Sequence, residues 1–197
     1  MADIRDELGP EYKAALDREA LTRSAAFLGV TELIGGVEVQ PLTLLHLCRL
    51  ECVGSPFVKG GVPMPEDVAL FLWAVSKEYD PKAWFKRWRF CRRVSKLSYA
   101  VMVANIREYL DEAFLDAPEG RGNGFTAPYW SSYAGIVANI AAEFGWSESE
   151  IVNMPLKRVW QYDRIAAKWN SSKADIRNKH SERVRRECLD RINNSRR

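Results

Sequence analysis

The run Phe144-Gly-Trp-Ser-Glu-Ser-Glu-Ile-Val-Asn-Met-Pro-Leu-Lys-Arg-Val-Trp-Gln-Tyr162 constrains the fold more than any other part of the chain. It reads as the end of one helix, a short second helix, a proline break and the start of a third. Gly145 suits a helix C-terminus, because glycine reaches the left-handed conformation that such an end favours. Ser147 and Glu150 fit a capping box, with Ser147 as the N-cap and Glu150 reaching back to its backbone N–H. Pro155 suits a first helical turn and turns Met154 away from helical geometry. None of these residues is a reactive group. The stretch predicts tightly joined helices built for packing and recognition.

The same punctuation recurs along the chain and predicts an all-α fold of about six to seven helices. Apolar positions Ala14, Leu16, Leu21, Ala25 and Leu28 place a helix over 11–28. Gly35-Gly36 and the alternating Val37-Glu-Val39 predict a turn and a very short extended piece. Pro41 opens a helix over 42–53, whose Leu44, Leu45, Leu47, Cys48, Cys52 and Val53 form a broad face expected to be buried. Pro65-Glu-Asp begins another, running to about Lys77, with acidic residues at its positive end and a largely buried body from Val68 to Val75. Asp80-Pro81 starts a fourth, which can continue to about Leu115, roughly 50 Å if unbroken. Pro118-Glu-Gly-Arg-Gly-Asn-Gly124 is the clearest linker. Helices follow at 128–144, 147–153 and 155–169. Ile176, His180, Val184, Cys188 and Ile192 then recur every four residues in a basic tail. The expected organisation is an N-terminal helical region 1–117, a second region 125–170, and a tail 171–197 that projects as a helix outside the core.

Net charge is only +3, but it is unevenly placed. Residues 172–197 hold nine Lys/Arg against four Asp/Glu, which leaves the remainder of the chain slightly acidic. Such a tail suits a solvated helix, nucleic acid or an acidic protein surface. Apolar runs such as Val68 to Val75 are far shorter than the ~20 residues a membrane span needs. The opening Met-Ala-Asp-Ile-Arg-Asp-Glu is polar and acidic, unlike an export signal. A cytoplasmic protein with reduced Cys48, Cys52, Cys91 and Cys188 is therefore expected.

Candidate chemistry is sparse. His46, Cys48 and Cys52 form the one His/Cys grouping, but His46 lies off the face shared by the two cysteines and no second ligand pair follows. His180 has no nucleophile placed beside it by any motif, and Gly120, Gly122 and Gly124 lack the strand and the Lys-Ser/Thr of a phosphate loop. The reading expects no catalytic residue, no metal and no cofactor. Segment 82–96 carries seven basic residues and no acidic one, interleaved with Trp84, Phe85, Trp88 and Phe90. Its first reading is an amphipathic helix with Trp84, Trp88 and Cys91 in the core and Lys86, Arg89, Arg93 and Lys96 in solvent. The alternatives are a nucleic-acid surface using these four residues together with Arg185 and Arg186 of the tail, and a surface for an acidic protein partner. A helix-turn-helix over 147–169, presenting Lys157, Arg158 and Arg164, is a further form of the nucleic-acid alternative.

Two sets of residues resemble bacteriophage tail-assembly proteins. Pro41-Leu-Thr-Leu-Leu-His-Leu, Ser55-Pro-Phe and Pro65-Glu-Asp-Val-Ala-Leu-Phe-Leu-Trp73 resemble the N-terminal part of such proteins. Ala142-Glu-Phe-Gly-Trp-Ser-Glu-Ser-Glu-Ile-Val-Asn-Met-Pro-Leu156 with Trp160-Gln-Tyr162 is similar to a helical element of tail-assembly chaperone-like proteins. The resemblance covers about half of the chain. It implies a helical, non-enzymatic protein made in the host cell cytoplasm, whose partner is the long tape-measure protein or another tail component. Self-association into a homo-oligomer is expected with it. Helix-in-groove capture would supply the mechanism, and Phe57, Trp73, Trp130, Trp146 and Trp160 are the candidate groove-lining side chains.

Overall fold

The computed structural model describes residues 8–117, 133–170 and 179–195, and among them it is all-α apart from one small hairpin. In chain order the elements are α1 (Gly9–Ala25), the strands β1 (Glu32–Ile34) and β2 (Val37–Val39), α2 (Leu44–Cys52), α3 (Pro56–Lys59), α4 (Pro65–Val75), α5 (Trp84–Val94), α6 (Tyr99–Ala113), α7 (Ala134–Phe144), α8 (Glu148–Asn153), α9 (Leu156–Asn170) and α10 (Lys179–Ser195). That is more helices than the pattern predicted. The expected long fourth helix is two, because the chain leaves helical geometry between Val94 and Tyr99 and turns Leu97 onto the core.

Helix α4 is the post of the core. Pro65 opens it, and the Asp67 carboxylate accepts from the Met64 backbone N–H at 2.8 Å, satisfying one of the donors a helix start leaves open. Val68, Ala69, Phe71, Leu72, Trp73, Ala74 and Val75 are all buried. Against them pack Leu44, Leu47 and Leu50 of α2, Phe90 and Val94 of α5, and Met102, Ile106 and Tyr109 of α6. The hairpin pairs Glu32 with Val39 and Ile34 with Val37, and β2 docks on the end of α4 through Gln40 N–H to the Val75 carbonyl at 2.8 Å. Its turn needs Gly35: φ is +57°, and a Cβ there would stand 2.5 Å from the Met102 side chain.

The capped run read from the sequence forms as expected. Gly145 ends α7 at φ +69°, donating to the Ala141 carbonyl at 2.9 Å. The Ser147 hydroxyl accepts from Glu150 N–H at 3.3 Å and the Glu150 carboxylate accepts from Ser147 N–H at 2.8 Å. The Ser147 hydroxyl, which donates to the Glu150 carboxylate at 2.6 Å, and the Ser147 N–H hold the Glu150 carboxyl below its ordinary pKa. Met154 is extended, and the chain at Pro155 bridges to Thr43, with Leu156 N–H donating to the Leu42 carbonyl at 2.6 Å. Ile140, Ile151, Leu156, Val159 and Trp160 therefore complete the same core as α2, α4 and α6. The two regions divided at the linker share one hydrophobic interior.

The tail does not project freely. Helix α10 lies along α1, where Cys188 is buried with Leu8 and Tyr12 and is flanked by Leu16, Val184, Leu189 and Ile192. A one-in-four apolar stripe needs one partner helix, and α1 supplies it. This cluster is separate from the main core. The register of α1 also differs from the expected one. Tyr12, Ala15 and Glu19 face inward, while Leu21 and Leu28 are exposed. Ile176 lies outside the described residues, as do residues 128–132 at the start of the helix expected over 128–144.

Candidate functional site

Helix α5 carries the largest departure from the sequence reading. The Asp80 carboxylate accepts from Lys82 N–H at 2.9 Å in a turn, so the helix begins at Trp84 and not at Pro81. Its core side is the row Phe90–Val94, one helical turn apart, with Phe90 packed on Trp73 at 5.2 Å between ring centroids. That registration turns the tryptophan row outward. Trp84 is 76% exposed, Phe85 51% and Trp88 50%. Of the expected core face, Trp84 and Trp88 are open to solvent, while Cys91 packs against the core.

These rings form a ridge. Trp84 meets Phe85 edge-on at 5.8 Å, Phe85 stacks on Trp88 at 5.9 Å, and the Arg92 guanidinium lies over Trp88 at 5.5 Å. Beside the ridge runs a trough of about 460 Å³ between α4 and α5. Pro65, Glu66, Ala69 and Leu70 line it from α4, and Arg87, Trp88, Cys91 and Arg92 from α5. Burial pushes the Cys91 thiol pKa up despite Arg87 beside it, so the sulfur is a small apolar lining atom and not a thiolate.

The basic residues anticipated here are all on the surface. Lys86, Arg89 and Lys96 are exposed, and Arg93 bridges to Glu78 and lies over the Phe90 ring at 5.0 Å. Arg185 and Arg186 sit on a different support, α10 on α1, and both bond to Glu182 one turn earlier. The helix-turn-helix alternative fails on its cations. Lys157 bridges to Glu112 at 2.9 Å. Arg158 donates to the Ala26 and Phe27 carbonyls at 2.9 and 2.7 Å, capping the end of α1. Arg164 is buried and donates to the carbonyls of Asp116 and Ala117. Lys157 is held by a carboxylate, and Arg158 and Arg164 bind the protein's own backbone.

The aromatic candidates separate by enclosure. Trp73 and Trp160 are core residues, each 4% exposed, so neither can line an open groove. Trp160 Nε1 donates to the Ala113 carbonyl at 3.0 Å, which secures the polar end of the ring. Trp146 is half-buried, stacked on Phe144 at 4.9 Å and edge-on to Tyr162 at 4.7 Å. It joins α7, α8 and α9. Phe57 is half-buried against Phe71 at 5.1 Å and lines a second cleft, of about 470 Å³, with Leu47, Leu110 and Phe114. Trp130 lies outside the described residues. Trp84 and Trp88 are core residues in the first reading of the sequence, and with Phe85 part of a binding surface only in its alternatives. The available signal of their exposure was the Phe90–Val94 pair, which offers a second apolar row on the same helix.

The thiols and His46 take structural places. All four cysteines are free, and Cys52 is exposed where a buried thiol was expected. His46 is buried, and its Nδ1 accepts from Thr43 N–H at 3.3 Å while Thr43 Oγ1 accepts from His46 N–H at 3.2 Å, a capping box at the start of α2. Burial, with Arg49 nearby, lowers its pKa to about 4. Among the described residues no three His, Cys, Asp or Glu side chains are placed to hold a metal, and no helix is long and apolar enough to cross a membrane. No protein-family model, curated protein or solved structure matches the chain.

Proposed function

We propose that the protein is a non-enzymatic bacteriophage tail-assembly chaperone, which acts in the host cytoplasm by holding a helical tail component, such as the tape-measure protein, and by self-association. The observation that carries the reading is the open aromatic ridge of α5 beside the α4–α5 trough. Trp84, Phe85 and Trp88 expose large apolar area on a rigid helix, the kind of surface through which an amphipathic helix is captured and kept from aggregating. The resemblance of the segments around Pro41, Pro65 and Gly145 to tail-assembly proteins supplies the class of client. Exposed Leu21, Leu28, Val30 and Leu33 at the end of α1 and on β1 supply apolar surface for self-association.

The test is co-expression with the tape-measure protein encoded in the same genome. The native chain is expected to carry that protein into the soluble fraction, and W84S/W88S to lose much of this effect while keeping its helical circular dichroism. A tape-measure protein equally insoluble with and without the native chain would overturn the proposal. Seven basic residues around stacked rings in segment 82–96 favour nucleic acid as a second reading. Phosphate binding weakens steeply with added salt, so salt-resistant capture separates the two.

A further inference from the structure

We infer that the α4–α5 trough receives an amphipathic helix with acidic residues on one flank, its apolar row seated against Ala69, Leu70, Trp88 and Cys91. This names the chemistry of the client and rests on the proposal that the protein binds helical partners. Three observations carry it.

The first is shape. Two neighbouring helices line the trough, α4 with small Ala69 and α5 with small Cys91 and bulky Trp88, and Ser95 lines it just beyond α5. A gap of that form between helices accepts the side-chain row of a third helix.

The second is charge complementarity. Segment 82–96 carries seven cations and no carboxylate. Among the described residues Arg93 is the one bridged to a carboxylate, and that carboxylate, Glu78, lies outside the segment. Arg87 and Arg92 line the trough from α5, whereas Glu66 lines it from α4. Negative charge is therefore favoured on one flank of the occupant and opposed on the other. A one-sided acidic helix meets that demand, and a strand with phosphate along its whole length does not.

The third is the state of the rings. Single strands bind by stacking bases on open aromatic faces. Here Trp84 abuts Phe85, Phe85 stacks on Trp88, and Arg92 covers Trp88. Trp88, the ring that lines the trough, thus already carries Phe85 and the Arg92 guanidinium and acts as a wall more readily than as a stacking platform.

Fluorescence anisotropy of the full chain tests this with three probes: an amphipathic peptide carrying a leucine row flanked on one side by Glu, the same peptide with Lys in place of Glu, and single-stranded oligothymidine. The Glu peptide is expected to bind roughly tenfold more tightly than the Lys peptide, with R87E/R92E reversing the order. Ser95→Trp, at an exposed position, is expected to fill the trough and abolish peptide binding with the circular dichroism unchanged. Equal binding of the two peptides, binding of neither, or preference for oligothymidine would each overturn the inference. Tape-measure capture that persists in both R87E/R92E and Ser95→Trp would also overturn it while leaving the proposed function standing. Failure of the native chain to capture that protein would remove the proposed function itself.

Discussion

Two aromatic groups of similar composition behave differently. At the elbow of α7, α8 and α9, Phe144, Trp146 and Tyr162 cover one another, and Phe27 joins them from the end of α1 at 6.2 Å from Tyr162. On α5, Trp84, Phe85 and Trp88 touch one another but stay open to water. Tyr162 and Phe27 reach the elbow from segments distant in sequence, so their contacts require the tertiary fold and reinforce it. Ridge partners are within four residues and can meet in an isolated helix. Ring–ring contact alone therefore does not mark a core. What matters is whether the contact closes a loop of chain.

The comparison can be broken by substitution and titration. Behind the elbow, Trp160→Ala removes a buried ring and orphans the Ala113 carbonyl, and is expected to cost about 3–5 kcal/mol in urea unfolding. His46 measures enclosure by titration. Its pKa falls from the ordinary histidine value of 6.5 to about 4, so stability is fully present above pH 6.5 and is lost as pH falls toward 4, while the unfolded chain takes up a proton the folded chain refuses. The loss should be on the order of 3 kcal/mol. His46→Gln keeps a residue that suits the capping box and should flatten that part of the stability–pH curve relative to the native chain. A half-enclosed ring gives an intermediate effect: Trp146→Ala is expected to cost about 1–3 kcal/mol. Trp84→Ala should fall within about 0.5 kcal/mol of the native chain by the same measurement. A Trp84 effect as large as that of Trp146 would erase the distinction between ridge and elbow.

The elbow was legible in the sequence because its signals are local and chemical. Glycine, a Ser–Glu pair three residues apart and a proline each dictate a backbone state; Gly145, Ser147 and Glu150 take the expected roles, and Pro155 stands immediately before the first turn of α9 instead of within it. Helix α4 was legible because it is apolar almost all round, so no choice of face was needed. The ridge was not, because α5 offers two apolar rows, and only the position of Trp73 selects Phe90–Val94 as the inner one. The tail was misread for a related reason. Its stripe announces a partner without naming it, and the matching row on α1 includes Tyr12, Ala15 and Glu19, which apolar periodicity scarcely marks. The destinations of Arg158 and Arg164 are backbone carbonyls distant in sequence, and no residue pattern encodes those.

The pairing of α1 with α10 also has a consequence in time. Glu11 and Arg191, which bridge the two helices, are separated by 180 residues. At translation rates of roughly 5–20 residues per second, the interval between their synthesis is on the order of 10–40 s. Throughout it Tyr12 and Leu16 are on a finished helix whose cover does not yet exist, and Arg158, which caps the other end of that helix, arrives only shortly before. Of the described helices, α1 is the first to leave the ribosome and the last to be buried. Each newborn copy thus carries, for most of its own synthesis, an N-terminal segment waiting for its partner.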